Sequence, residues 1–72
     1  MESPEHLRRE NNLKAVRQAQ DLALYGVAAR AGVSPTTLCA VEKWGYCPTA
    51  SVRQRIAAAL GVTEREIWPE LR

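Results

Sequence analysis

The chain contains no phenylalanine, and its aromatic residues are two tryptophans and two tyrosines. A core within 72 residues must then come from Leu, Val, Ile and Ala, with Trp44, Trp68, Tyr25 and Tyr46 as the large rings. That composition suits short, closely packed helices better than a thick sheet sandwich. Long apolar runs are also missing, and nothing approaches the roughly 20 residues of a membrane span. The start, Met-Glu-Ser-Pro-Glu-His, lacks the basic-then-apolar pattern of a signal peptide. Cysteine is scarce: Cys39 and Cys47 have neither metal-ligand spacing nor the density of a secreted disulfide scaffold. We expect reduced thiols in a cytoplasmic protein, with a single bridge between them as the alternative. Catalytic constellations are missing too. His6 lies in a polar stretch with no acidic or thiol partner at useful spacing, and there is no glycine-rich phosphate loop or metal cluster. The chain is not expected to be an enzyme, and no cofactor, metal or membrane partner is expected.

Charge is informative in its distribution rather than its sum. Between Asn11 and Thr63 stand six basic residues, Lys14, Arg17, Arg30, Lys43, Arg53 and Arg55, against two acids, Asp21 and Glu42. The remaining acids collect at the two ends. A basic middle suits a polyanion, although a mixed solvated surface has the same composition.

The chain is punctuated at short, regular intervals. Ser3-Pro4-Glu5 can open an early turn, but residues 1–11 otherwise read as a polar N-terminal arm, ahead of a single domain over 12–72. Asn11 or Asn12 can cap a first helix whose apolar positions are Leu13 and Val16. Leu24, Val27, Ala28 and Ala31 fall on one face of a second helix, with Gly26 inside it and Gly32 as its left-handed stop. Ser34-Pro35 opens a third helix as cap and first residue, with Leu38 and Val41 inward and Gly45 as its end. Thr49 or Ser51 can start a fourth, where Val52, Ile56 and Leu60 recur every four residues before Gly61. Thr63-Glu64-Arg65-Glu66 fits a capping box for a fifth, with Ile67 and Leu71 inward and Pro69 limiting it. No strand pattern appears. The fold class expected is all-α, a five-helix bundle.

Gly32-Val33-Ser34 is too short a link for antiparallel helices. The second and third helices must cross steeply, which is the helix-turn-helix geometry. At this point the sequence resembles a known family, the Cro and phage-repressor type of helix-turn-helix domain, also called the xenobiotic-response-element family. The resemblance runs from about Leu13 to Trp68. It is carried by Leu13-Lys14-Ala15-Val16-Arg17, by Val27-Ala28 with Ala31-Gly32-Val33-Ser34, by Leu38 and Val41-Glu42, by Pro48, by Ile56-Ala57-Ala58-Ala59-Leu60-Gly61-Val62, and by Glu66-Ile67-Trp68-Pro69. Each motif is weak alone; six in register are specific.

The resemblance implies a sequence-specific, repressor-like regulator that binds double-stranded DNA as a homodimer. It implies that Arg17 and Glu42 form a structural pair, which removes the lone acid from a basic surface. The recognition surface would be Pro35, Thr36, Thr37, Ala40 and Lys43, on a helix over about residues 35–44 in the major groove. The two threonines can hydrogen-bond base edges or phosphates, and their methyls can touch thymine. Ala40 offers an apolar contact only. Here the chain departs from the family pattern, which places Gln, Arg or Asn on this surface and Gln at the position of Leu24. DNA shape and thymine methyls are expected to carry much of the specificity.

Backbone clamping is assigned to Leu24, Tyr25, Trp44, Tyr46 and Arg53, with the free N–H groups at the start of the second helix. Trp44 stands where the family has Gly, so the recognition helix is expected to run one residue longer; its alternative place is in the core beneath the loop. Ile67, Trp68 and Leu71 are the candidate dimer contact, with Trp68 as a core cap being the alternative. A second function class remains, a protein-interaction module of antitoxin or anti-repressor type, using Leu24, Tyr25, Trp44 and Tyr46 as an apolar patch. Cys39 is a candidate redox-sensitive thiol, or simply a small core residue.

Overall fold

The computed structural model describes residues 11–70. The N-terminal arm up to residue 10, with Ser3-Pro4-Glu5 and His6, and also Leu71, lie outside them. Among the described residues there are five helices: α1 (Leu13–Ala19), α2 (Leu24–Ala31), α3 (Pro35–Trp44), α4 (Ala50–Leu60) and α5 (Glu64–Ile67). None is long and apolar enough to cross a membrane.

The helix ends follow local chemistry. α3 starts at Ser34, whose Oγ accepts from the Thr37 amide at 3.1 Å, with Pro35 at the first position. Thr49 caps α4, and Thr63 with Glu66 forms the reciprocal capping box of α5. α1 differs: Asn12 is the cap by position but makes no side-chain cap bond, while Asn11 Oδ1 accepts from the Leu13 amide at 3.0 Å. α2 begins at Ala23, which has no side chain able to cap. The turn between α1 and α2 holds Asp21 at φ 59°, a left-handed position with no glycine to announce it; aspartate is among the few residues that tolerate it.

The core is a contiguous cluster of Leu13, Val27, Ala28, Ala31, Leu38, Val41, Ile56, Ala57, Leu60, Ile67 and Trp68. α2 packs on α3 and α4, α1 on α3, and α5 on α4. The inward residues of α2, α3 and α4 are those that the helical spacing predicts. Trp68 closes the base of the cluster at 1% exposure. Its indole N–H finds no acceptor among the described residues, an unfavourable feature set against the large apolar area of the ring.

Long polar side chains join elements that are distant in sequence. Asn12 N and Nδ2 donate to the carbonyls of Ile67 and Glu66, and Asn11 Nδ2 donates to Val41 O at 2.9 Å. Gln20 Nε2 donates to Leu60 O at 2.7 Å, satisfying a carbonyl at the open end of α4.

Two glycines make opposite predictions. Gly26 lies within α2, and an added Cβ there meets nothing within 4 Å. Gly26→Ala should stabilise the fold by about 0.4–1 kcal/mol through helix propensity and loss of unfolded-state freedom. Gly32 also has space, but its φ is +70°, so Gly32→Ala should destabilise by about 1 kcal/mol. Urea denaturation of the two variants checks both signs.

Candidate nucleic-acid interface

The turn Gly32–Ser34 fixes α3 against α2. Gly32 takes up the left-handed conformation, and the Val33 amide donates to Ala28 O at 3.1 Å, so α2 ends and the chain leaves it without a gap. Leu38 and Val41 anchor one side of α3 in the core. The other side then carries Thr36, Ala40 and Lys43, at i, i+4 and i+7, with Thr36 and Lys43 exposed and Ala40 half-buried. Thr37 and Pro35 flank this stripe, both half-buried. Of the five residues expected to face a ligand, all lie on α3, and Lys43 carries the charge.

Thr37 is less free than its sequence position suggests. Its Oγ1 lies 3.0 Å from Ser34 Oγ, which donates to it. The hydroxyl oxygen is held back toward the start of the helix. Thr36 has no such tie among the described contacts.

Glu42 stands on the same helix, and its charge is withdrawn from the surface. Arg17 Nε donates to Glu42 Oε2 at 2.7 Å and Nη2 donates to Oε1 at 3.1 Å, a two-pronged pair. The side chains are 13% and 6% exposed. Arg17 Nη1 also donates to Leu22 O at 2.7 Å. The hydrogen bond to Glu42, and then its charge, raise the Arg17 pKa against the opposing effect of burial. The pair ties α1 to α3.

The aromatic residues near α3 are exposed, Tyr25 by 74%, Trp44 by 63% and Tyr46 by 41%. Trp44 is the last residue of α3 rather than core under the loop, and the helix does reach it. Leu24 is only half-exposed and packs against the core cluster. At the start of α2 the uncapped first-turn amides lie beside Tyr25.

Two sequence expectations need correction. Arg53 is not a free cation for phosphate. Its Nε donates to Glu64 Oε1 at 3.3 Å and its Nη1 to Pro48 O at 2.7 Å, with Cys47 Sγ 4.0 Å away, so it staples the loop after α3 to α5. Ile67 and Trp68 do not form a contact surface, because both are buried in the core of their own chain. Both cysteines are free and half-buried, Cys39 on α3 and Cys47 beside Arg53. The contacts of Asn11, Gln20 and Arg53 escaped sequence reading because each spans the chain to a backbone carbonyl or a remote acid, and no local periodicity reports such a partner.

A family model described as helix-turn-helix matches residues 13–67. No curated protein matches the chain. Among solved structures, the chain is similar to the restriction-modification controller protein C.AhdI from Aeromonas hydrophila, with a TM-score of 0.72. The two are 24% identical, over 76% of this chain and 83% of that one. The similarity shows a shared fold.

Removing one partner of the Arg17–Glu42 pair strands a mostly buried charge. Arg17→Met or Glu42→Leu should each destabilise by about 3–5 kcal/mol. The double variant should recover much of that loss, since two apolar side chains leave no uncompensated charge. Chemical denaturation of the full cycle measures the coupling.

Proposed function

The chain belongs to the helix-turn-helix family, in its Cro/C1 type, a family of DNA-binding transcription regulators, and from that premise we propose that it is a sequence-specific, repressor-like regulator with α3 in the major groove. The observation that carries this reading is the outer stripe Thr36–Ala40–Lys43, opposite the buried Leu38 and Val41. It stands clear of acidic charge because Arg17 holds Glu42. Short side chains at the start of α3 allow the helix to approach the base edges closely. The uncapped amides of α2 supply a phosphate contact that depends on no side chain. Tyr25 and Tyr46 provide exposed hydroxyls for the flanking backbone, and Trp44 adds exposed ring area beside them.

The protein acts as a homodimer on a two-fold site. One α3 with four small side chains and a lysine makes few base contacts, and a second copy one helical turn along the DNA doubles them. With Ile67 and Trp68 buried, contact between copies uses other surface. Selection of binding sites from random DNA tests the proposal. It should return a two-fold sequence with half-sites about 34–36 Å apart. Binding without sequence preference, or none at low salt, refutes it.

The exposed aromatics favour a second reading, a protein-interaction module of antitoxin or anti-repressor type. Tyr25→Ala would then abolish activity in cells while leaving DNA affinity unchanged.

Lys43 separates two contact types. On a phosphate, Lys43→Gln should weaken all DNA sequences alike and reduce the salt slope by about 0.9. On a guanine, it should relax preference at one base pair and leave the rest of the site unchanged. Affinity titrations at several salt concentrations distinguish these outcomes.

A further inference from the structure

Arg30 on α2 and Arg55 on α4 line an open groove that the proposed DNA contact does not use. It holds about 450 Å³, and its lining is completed by Ala31, Ala58 and Ala59. None of these residues belongs to α3 or to the loop after it. Both arginines are exposed. Among the described residues neither meets a carboxylate, and Arg30 Nη1 makes a long bond of 3.4 Å to Ala59 O. Most of their N–H donors stay open to a ligand. Acids elsewhere are committed: Glu42 to Arg17, Glu64 to Arg53, and Glu66 to the capping box with Thr63. The floor between the two cations is methyl groups, with Ala31 buried, Ala59 half-buried and Ala58 exposed. Small side chains there leave room for a side chain from outside.

Charge and shape together select the occupant. Two unneutralised guanidiniums call for acidic oxygens, which they bind by charge-assisted, two-pronged bonds. A phosphate backbone supplies the charge but no apolar side chain for the alanine floor. A two-fold contact centred on this groove brings the arginines of both copies together, and a head-to-tail contact between copies need not close. We propose that the α2–α4 groove binds an acidic segment of a partner protein. Two carboxylates of that segment pair with Arg30 and Arg55, and an apolar side chain between them lies on Ala31, Ala58 and Ala59. The groove gives the chain a protein contact separate from the α3 face.

The test titrates the full chain with blocked synthetic peptides, followed by NMR. Each peptide carries two glutamates separated by one, two or three leucines within a Gly-Ser sequence, and its control has glutamine for glutamate. At least one acidic peptide should bind, shifting the signals of Arg30, Ala31, Arg55, Ala58 and Ala59, and its control should not. Arg30→Gln and Arg55→Gln should each weaken that binding about fivefold, and the double variant about twentyfold. Ala58→Glu places a carboxylate in the groove and should abolish binding, with thermal melting confirming that the variant is folded. The double arginine variant should keep the DNA affinity and salt slope of the unchanged chain at a site selected from random DNA. Three results overturn the proposal: no acidic peptide binds, the shifts fall on α3 instead, or the arginine variants bind the peptide unchanged. A reduced salt slope assigns the groove to phosphate, and a dimer dissociated by the arginine variants assigns it to a second copy; either overturns it too. The peptide titration contains no DNA, so its outcome is independent of whether any DNA site is selected.

Discussion

Arg17 brings one guanidinium into contact with two other parts of the chain. It donates to both oxygens of Glu42 on α3 and to the carbonyl of Leu22 in the turn before α2. The first contact fixes α1 against α3. The second ties down the turn that holds Asp21 at positive φ. The charge consequence is as important as the geometry. Glu42 would repel a phosphate backbone if it were exposed. Paired with Arg17 and almost out of solvent, it leaves a neutral-to-basic face on α3. Position and charge of the candidate reading surface thus depend on the same two side chains.

The rest of the bundle shows how a small apolar core is closed by polar ties. Much of the core is Ala and Val, which bury little area each. Helix ends then need partners that the core cannot provide. Asn11, Asn12 and Gln20 reach across to carbonyls of α3, α5 and α4. Arg53 holds the loop after α3, through Pro48 O, to Glu64 at the start of α5. These bonds lock the orientation of short helices that propensity alone would leave marginal. α2 is the exception, since Ala23 leaves its N-terminus uncapped.

The proposed ligand contacts are consistent with this economy. Short side chains on α3 lose little entropy on binding, and the backbone comes closer to the DNA. The exchange is fewer hydrogen bonds to bases. On the proposed reading, specificity rests on DNA shape and the pairing of two copies. The exposed rings of Tyr25, Trp44 and Tyr46 add contact area around a reading surface that is itself small.

The sequence by itself determined the five helices, most of their ends and the inward faces of α2, α3 and α4. Those features rest on interactions within a few residues, such as the Ser34-Pro35 start, the Gly32 stop and the Thr63–Glu66 box. Pro35, Thr36, Thr37, Ala40 and Lys43 came from the family resemblance, and α3 sets Thr36, Ala40 and Lys43 on one outer stripe. Tertiary structure alone decided what the long and large side chains do. Arg53 could reach a phosphate or an acid, and only the position of Glu64 and Pro48 commits it to the fold. Trp44 and Trp68 look alike in sequence, yet one projects from the end of α3 and the other is enclosed by the core. Local rules act through backbone geometry over three or four residues. A flexible or bulky side chain answers to whatever distant element the fold sets beside it.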